Sequence, residues 1–394
     1  MIFNTAWFLL FSALLIPLYL FACPARLRPL VLLGMSAVFH AHFAGAAGMV
    51  PVIVIALLTF ALGILIDQRP VGDRSRRWLY LIGLAIPVVM LCVYKYSGFL
   101  AAVFSSNSNA NVFAGISIPL AISFFTFEFV HYLTDVYRGQ RAIRSPLHFA
   151  LFAIFFPSLV SGPIKRFEDF VPQIARGISR PSGQVVMQGL IQTVIGFAKK
   201  LVVADNAALG VSILEARPEH DALSVIALIT LLSIRILFDF SGYSDIAIGI
   251  ARMLGIRLPA NFNYPYAALS IADFWRRWHI SLSSWIRDYI YIPLGGGRQG
   301  VFRKSCNVLI AMFICGMWHG PAWHFGVWGL YHGVGLGAHS WWQRHTSLNA
   351  LRGTLAYRCA ALLLTNMFVA FGWLLFFYPI SKVMTLVRAL LSLN

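Results

Sequence analysis

Ten apolar runs, each close to the roughly 20 residues a helix needs to cross a bilayer, fall at 5–22, 30–47, 49–66, 78–97, 112–134, 184–204, 222–247, 302–318, 321–339 and 358–378. A chain carrying so many of them cannot fold in water. Only 11% of its 394 residues are charged while 59% are apolar. That balance predicts an all-α, polytopic membrane protein of about ten spans, with residues 1–394 forming one integral-membrane domain. The first run lacks a basic leading segment and a small-residue cleavage site, so it reads as a retained span. The five cysteines are odd in number and have no CxxC spacing. They read as small buried hydrophobes, not as disulfides or metal ligands.

The formal net charge is +17, yet Lys and Arg occur in short runs between apolar stretches. Cytoplasmic loops look like this and nucleic-acid-binding domains do not. Basic linkers at 26–28, 67–77 and 138–144, set against the uncharged 105–111, place the N-terminus outside. The run at 149–163 is short and interrupted by Pro157, Gly162 and Pro163. Reading it as a re-entrant hairpin keeps 165–180 and 252–304 cytoplasmic and the acidic segment 205–221 outside. Irregular backbone at membrane depth needs a covering of protein or a water-filled cavity.

Charge and aromatic residues concentrate between 239 and 298. At about 100° per residue, 272–290 plots as one interfacial helix with Trp275, Trp278, Leu282, Trp285, Ile286 and Tyr289 underneath. Asp273, Arg276, Arg277, Arg287 and Asp288 lie on top, and His279 falls on the edge of the aromatic face. That position suits either a packed histidine or a functional one. Upstream, Asp239-Phe-Ser-Gly-Tyr-Ser-Asp245 brings Asp239, Tyr243 and Asp245 to the end of an apolar span, where ionisable groups face each other or a cavity. Arg235 sits one helical turn before Asp239, so either an internal ion pair or contact with a polar substrate accounts for them. Further on, Trp318-His319-Gly320-Pro321 breaks a helix and lets an imidazole project from the break. The remaining histidines, His324, His332 and His339, do not form a ligand set, and no metal is assigned.

These stretches resemble the membrane-bound O-acyltransferases, in particular the bacterial branch like alginate O-acetyltransferases. The resemblance runs through Ile118-Pro-Leu-Ala-Ile-Ser-Phe-Phe-Thr-Phe127, Asp135-Val-Tyr-Arg-Gly139 and Ser161-Gly-Pro163. It continues in Asp239 to Asp245, Asn261-Phe-Asn-Tyr-Pro-Tyr266, Asp273-Phe-Trp-Arg-Arg-Trp-His279, Tyr291-Ile-Pro-Leu-Gly-Gly296 and Trp318-His-Gly320. It implies a tunnel through the membrane with His319 as principal catalytic histidine and His279 as the second, near the donor.

The expected activity is passage of an acetyl group from cytosolic acetyl-CoA, as a donor substrate and not a bound cofactor, to an exported polysaccharide such as alginate or cellulose. Trp318, Arg276, Arg277, Asp239, Tyr243 and Asp245 are candidate contacts for donor or substrate. Expected partners are membrane lipids, a periplasmic acyltransferase and a polysaccharide synthase complex in the bacterial inner membrane, and no nucleic acid. Alginate-type members usually continue past the point where this chain stops, and its length is closer to the branch that transfers D-alanine from a carrier protein to teichoic acid. That branch is the nearest alternative. A transporter or a non-catalytic membrane subunit of polysaccharide export are the others, and the transporter requires repeat symmetry that the sequence lacks.

Overall fold

The computed structural model describes residues 2–104, 118–217, 219–298, 300–345 and 353–391. All its regular elements are helical. In chain order they are α1 (Ala6–Pro17), α2 (Arg28–Asp67), α3 (Arg74–Leu91), α4 (Ser97–Phe104), α5 (Ile122–Tyr137), α6 (Pro146–Ile154), α7 (Phe167–Ala175) and α8 (Gly183–Ala198). There follow α9 (Asp205–Glu215), α10 (Ala222–Met253), α11 (Ile271–Arg277), α12 (Ile280–Ile286), α13 (Gly300–His319), α14 (Trp323–His345), α15 (Leu355–Phe377) and α16 (Ile380–Leu390). Local chemistry starts several of them. The Thr5 hydroxyl caps α1 by accepting from the Phe8 N–H, Asp73 caps α3 through Ser75, and Ser145 caps α6 with Pro146 behind it.

Among the described residues, six helices are long and apolar enough to cross a membrane: 25–67, 74–103, 183–215, 222–253, 300–319 and 355–377. Large apolar side chains such as Leu57, Val194, Val202 and Leu364 stand exposed on them, a surface that lipid can cover and water cannot. The chain is therefore a multi-pass membrane protein. The runs at 30–47 and 49–66 form one continuous element that kinks at Gly45, where φ is +63° and the backbone leaves helical geometry. α14 has 23 residues, long enough to span, but its His, Gly and Trp content makes it less apolar. At 149–163, where the sequence predicts a re-entrant hairpin, the chain has the nine-residue α6, about 14 Å of rise, followed by a single 3-10 turn at Phe156–Ser158. The linker at 105–111 lies outside the described residues. Of the cysteines expected to be buried, Cys315 is; Cys23, Cys92 and Cys306 are half-buried and Cys359 is exposed.

The described chain forms two compact units, one of 1–197 with 243–259 and one of 198–242 with 260–394. In the first, α2 packs on α3, α5 and α6 around Phe3, Phe8, Phe39, Phe129, Tyr132 and Phe152, all fully buried. This core also encloses an ion pair, Lys165 Nζ to Glu128 Oε1 at 2.6 Å, with the two side chains 2% and 5% exposed. A lone charge left at that depth is far costlier than the pair. Lys165→Met is expected to cost about 3–5 kcal/mol in chemical denaturation of the detergent-solubilised protein. Lys165→Met combined with Glu128→Leu should recover most of that loss.

In the second unit, α13 and α14 form an antiparallel hairpin against α15, and α11 lies across α14 and α15. Its core is tryptophan-rich, with Trp278, Trp328 and Trp373 buried beside Phe274 and Leu282.

Candidate active site

The α13–α14 hairpin positions His319. A Cβ on Gly316 would collide with the Phe325 carbonyl, and one on Gly329 with the Met312 carbonyl, so only glycine allows the two backbones to approach this closely. α13 ends at His319. A side chain at Gly320 would strike the Phe325 ring, and Pro321 has no N–H with which to continue the helix. The His319 imidazole, half-buried, is surrounded by the rings of Trp318, Phe376 and Trp328, at centroid distances of 4.8, 5.0 and 5.3 Å.

The second imidazole comes from a break that the helical wheel did not anticipate. Residues 272–290 are not one interfacial helix. α11 ends at Arg277, α12 begins at Ile280, and His279 lies between them with φ at +42°. A left-handed histidine is strained and persists only where its surroundings enforce it. Asn261 does so. Its Oδ1 accepts from His279 Nδ1 at 3.1 Å, from the Ser281 N–H at 3.2 Å and from the Ser281 hydroxyl at 2.9 Å, while its carbonyl accepts from the Ile280 N–H at 2.9 Å.

A backbone N–H bonded to that side-chain atom identifies it as the amide oxygen. Nδ1 of His279 therefore carries the proton, and Nε2 presents its lone pair. Burial, and then the charge of His319, hold the His279 imidazole well below its usual pKa, which keeps it neutral. Trp318 lies against both histidines, its ring 6.2 Å from His279 and 4.8 Å from His319.

The structure thus brings His279, Trp318 and His319 together, and it places the other expected site residues differently. Arg276 and Arg277 both bond to Asp273, at 3.2 and 3.0 Å, and Arg276 is mostly exposed. Burial works to raise the Asp273 carboxyl, but the hydrogen bonds from Arg277 and Arg276 outweigh it and hold it below its usual range. Asp239 does not pair with Arg235. It binds Lys200 Nζ at 2.7 Å, and Lys200 also holds Asp205 at 2.6 Å. The Arg235 guanidinium instead lies over the Phe377 ring at 5.3 Å, since a planar, weakly hydrated cation gains from an aromatic face. Tyr243 and Asp245 belong to the first unit, where Tyr243 stacks on Phe3 at 4.4 Å and Asp245 accepts from Gln192 at 3.0 Å.

Sequence reasoning missed Asn261, which sits 18 residues before His279 with no local pattern linking the two. It also set His332 aside. That residue is fully buried beside Trp275 and Trp328, at 5.3 and 4.9 Å. Among the described residues, both ring nitrogens of His332, Nε1 of Trp275, Nε1 of Trp328 and Nε2 of His279 make no hydrogen bond. Buried polar atoms are rarely left so, and a cluster of them calls for an explanation. Beside Trp275 a mostly apolar pocket of about 200 Å³ opens, lined by Ser283, Ile286, Arg287, Met312 and Cys315.

Two imidazoles around one tryptophan, in a multi-pass helical membrane protein, form a group able to bind and release protons. Residues 88–385 match the family model of the membrane-bound O-acyltransferases, and the chain belongs to that family. It is an O-acyltransferase. It is 36% identical over 388 residues to a probable alginate O-acetylase of Azotobacter vinelandii, covering 95% of this chain and 75% of that one. It is also 36% identical over 342 residues to the peptidoglycan O-acetyltransferase of Helicobacter pylori, covering 79% of this chain and 64% of that one. With the teichoic acid D-alanyltransferase of Bacillus subtilis it shares 31% identity over 274 residues, 65% of this chain and 68% of that one.

Proposed function

We propose that the chain transfers an acetyl group from cytosolic acetyl-CoA across the bacterial inner membrane, for O-acetylation of an exported polysaccharide of the alginate or cellulose type. In this reading its N-terminus is periplasmic, and a periplasmic acyltransferase working with the polysaccharide synthase completes the modification. The observation that carries the reading is the pair of histidines around Trp318, His319 half-buried and His279 buried and fixed by Asn261 with its Nε2 lone pair presented. The relatives matched over most of the chain, an alginate O-acetylase and a peptidoglycan O-acetyltransferase, agree with acetyl transfer to a polymer.

In the mechanism, His319 takes the proton of the acceptor hydroxyl as its oxygen attacks the thioester carbonyl. The C–S bond breaks, the acetyl group passes to oxygen, and the proton moves from His319 to the departing thiolate. His279, as a neutral acceptor, suits an amide N–H of the pantetheine arm and so orients the donor. In this reading the arm lies in the apolar pocket of about 200 Å³ beside Trp275. The indole and imidazole nitrogens that make no hydrogen bond support a polar ligand beside them. Arg276 and Arg277 act by long-range attraction on the donor's phosphates, since Asp273 already holds them. Asp239 contributes through the Lys200 network.

The deciding assay supplies the protein in nanodiscs with radiolabelled acetyl-CoA or with a D-alanyl carrier protein. Label transferred from acetyl-CoA alone is the expected result. Transfer of D-alanine would replace this reading with the teichoic acid one.

A further inference from the structure

Where α8 begins and α10 ends, the first unit holds a cavity of about 590 Å³ that the acyl-transfer chemistry does not use. Its wall carries Arg180, Arg252 and Arg257 with Ser182 and Gln188, and no acidic side chain. The backbone bearing these arginines is fixed from several directions. Arg28 donates to the Ile178 carbonyl at 3.3 Å, and the Tyr19 hydroxyl donates to the Leu254 carbonyl at 3.0 Å. The Gln173 amide holds Arg257 at both backbone groups, accepting from its N–H at 2.8 Å and donating to its carbonyl at 3.2 Å. Among the described residues, none of the three guanidiniums pairs with a carboxylate. Arg180 instead covers the Phe21 ring at 5.3 Å. Three like charges held around one cavity repel each other, and an anion between them relieves that repulsion.

We propose that this cavity binds the phosphate ester of an anionic phospholipid head group. Two observations favour a lipid over a small phosphate. α8 and α10 belong to two of the membrane-crossing helices, so the cavity, at their ends, lies at the height of the head groups. Its cationic wall also continues into apolar surface, through Ile248 and Leu258 inside and the exposed Met187, Leu190 and Ile191 along α8. Arginines next to exposed apolar helix suit an amphiphile with a negative head and acyl tails. A free anion would use only the first half of that surface. The site is independent of which polymer is acylated.

The test is lipid binding by the intact chain in neutral detergent, read by native mass spectrometry and by the thermal midpoint. Phosphatidylglycerol should be retained and should raise the midpoint, while phosphatidylcholine and inorganic phosphate should do neither. Binding should weaken by about fivefold for each arginine neutralised in Arg180→Gln, Arg252→Gln and Arg257→Gln, and lysine substitutions should retain most of it. Arg257 is exposed, so its single variant keeps the test valid if the triple variant does not fold. Equal retention of the two lipids, or unchanged phosphatidylglycerol binding in the folded variants, overturns the proposal. Displacement of the lipid by an equal concentration of a nucleoside 3′,5′-bisphosphate would assign the cavity to a soluble phosphate ligand and overturn it as well.

Discussion

His319→Ala is expected to reduce O-acyl transfer by about a thousandfold, within the range that a positioned acid–base group contributes, with the protein still folded and inserted. His319 is the last residue of α13, so removing its imidazole leaves the α13–α14 contact intact, because that contact rests on Gly316 and Gly329. The aromatic rings around it lose a neighbour but no hydrogen bond of the helix itself. Transfer measured in membranes, with α-helix content and size-exclusion profile as controls, checks the prediction. A folded His319→Ala protein with near wild-type transfer would remove His319 from the reaction.

The second large effect is expected at Asn261. Asn261→Ala takes the acceptor from three donors, the His279 ring and both groups of Ser281. Leaving buried donors unmet costs about 1–3 kcal/mol each, and the His279 ring also loses what fixes its tautomer. Transfer should fall by about a hundredfold, as it should in His279→Ala. The two are one device, so Asn261→Ala combined with His279→Ala should be little slower than either alone. Fully multiplicative losses would mean that Asn261 acts by some route other than His279. Stability alone cannot produce that non-additive pattern in kcat.

Apolar length is a local property, so the sequence showed the multi-pass character and the long apolar helices at 25–67, 74–103, 183–215, 222–253, 300–319 and 355–377. It also showed the His319 corner, because Gly-Pro stops a helix whatever lies around it. The helical wheel over 272–290 failed for a tertiary reason. Periodicity assumes an unbroken helix, and the break at His279 is imposed by Asn261, whose hold on residues 279–281 spans 18 to 20 positions. The same limit misdirected the Arg235–Asp239 pairing. One-turn spacing was right for an isolated helix, but Lys200 from the preceding helical element reaches Asp239 first. Cationic residues gave an ambiguous signal from the sequence. Arg276 and Arg277 looked like donor-binding groups and are occupied by Asp273, whereas Arg180, Arg252 and Arg257, scattered over 78 positions, share one cavity.

The most direct test of the central claim is acetyl transfer in sealed, uniformly oriented proteoliposomes, with labelled acetyl-CoA on the face bearing 252–298 and a polysaccharide acceptor, with its periplasmic acyltransferase, on the other. The account predicts alkali-labile label on the acceptor in the opposite compartment, lost when His319 is replaced by alanine. Label appearing only on acceptors in the donor's own compartment, or transfer unaffected by His319→Ala, would contradict it.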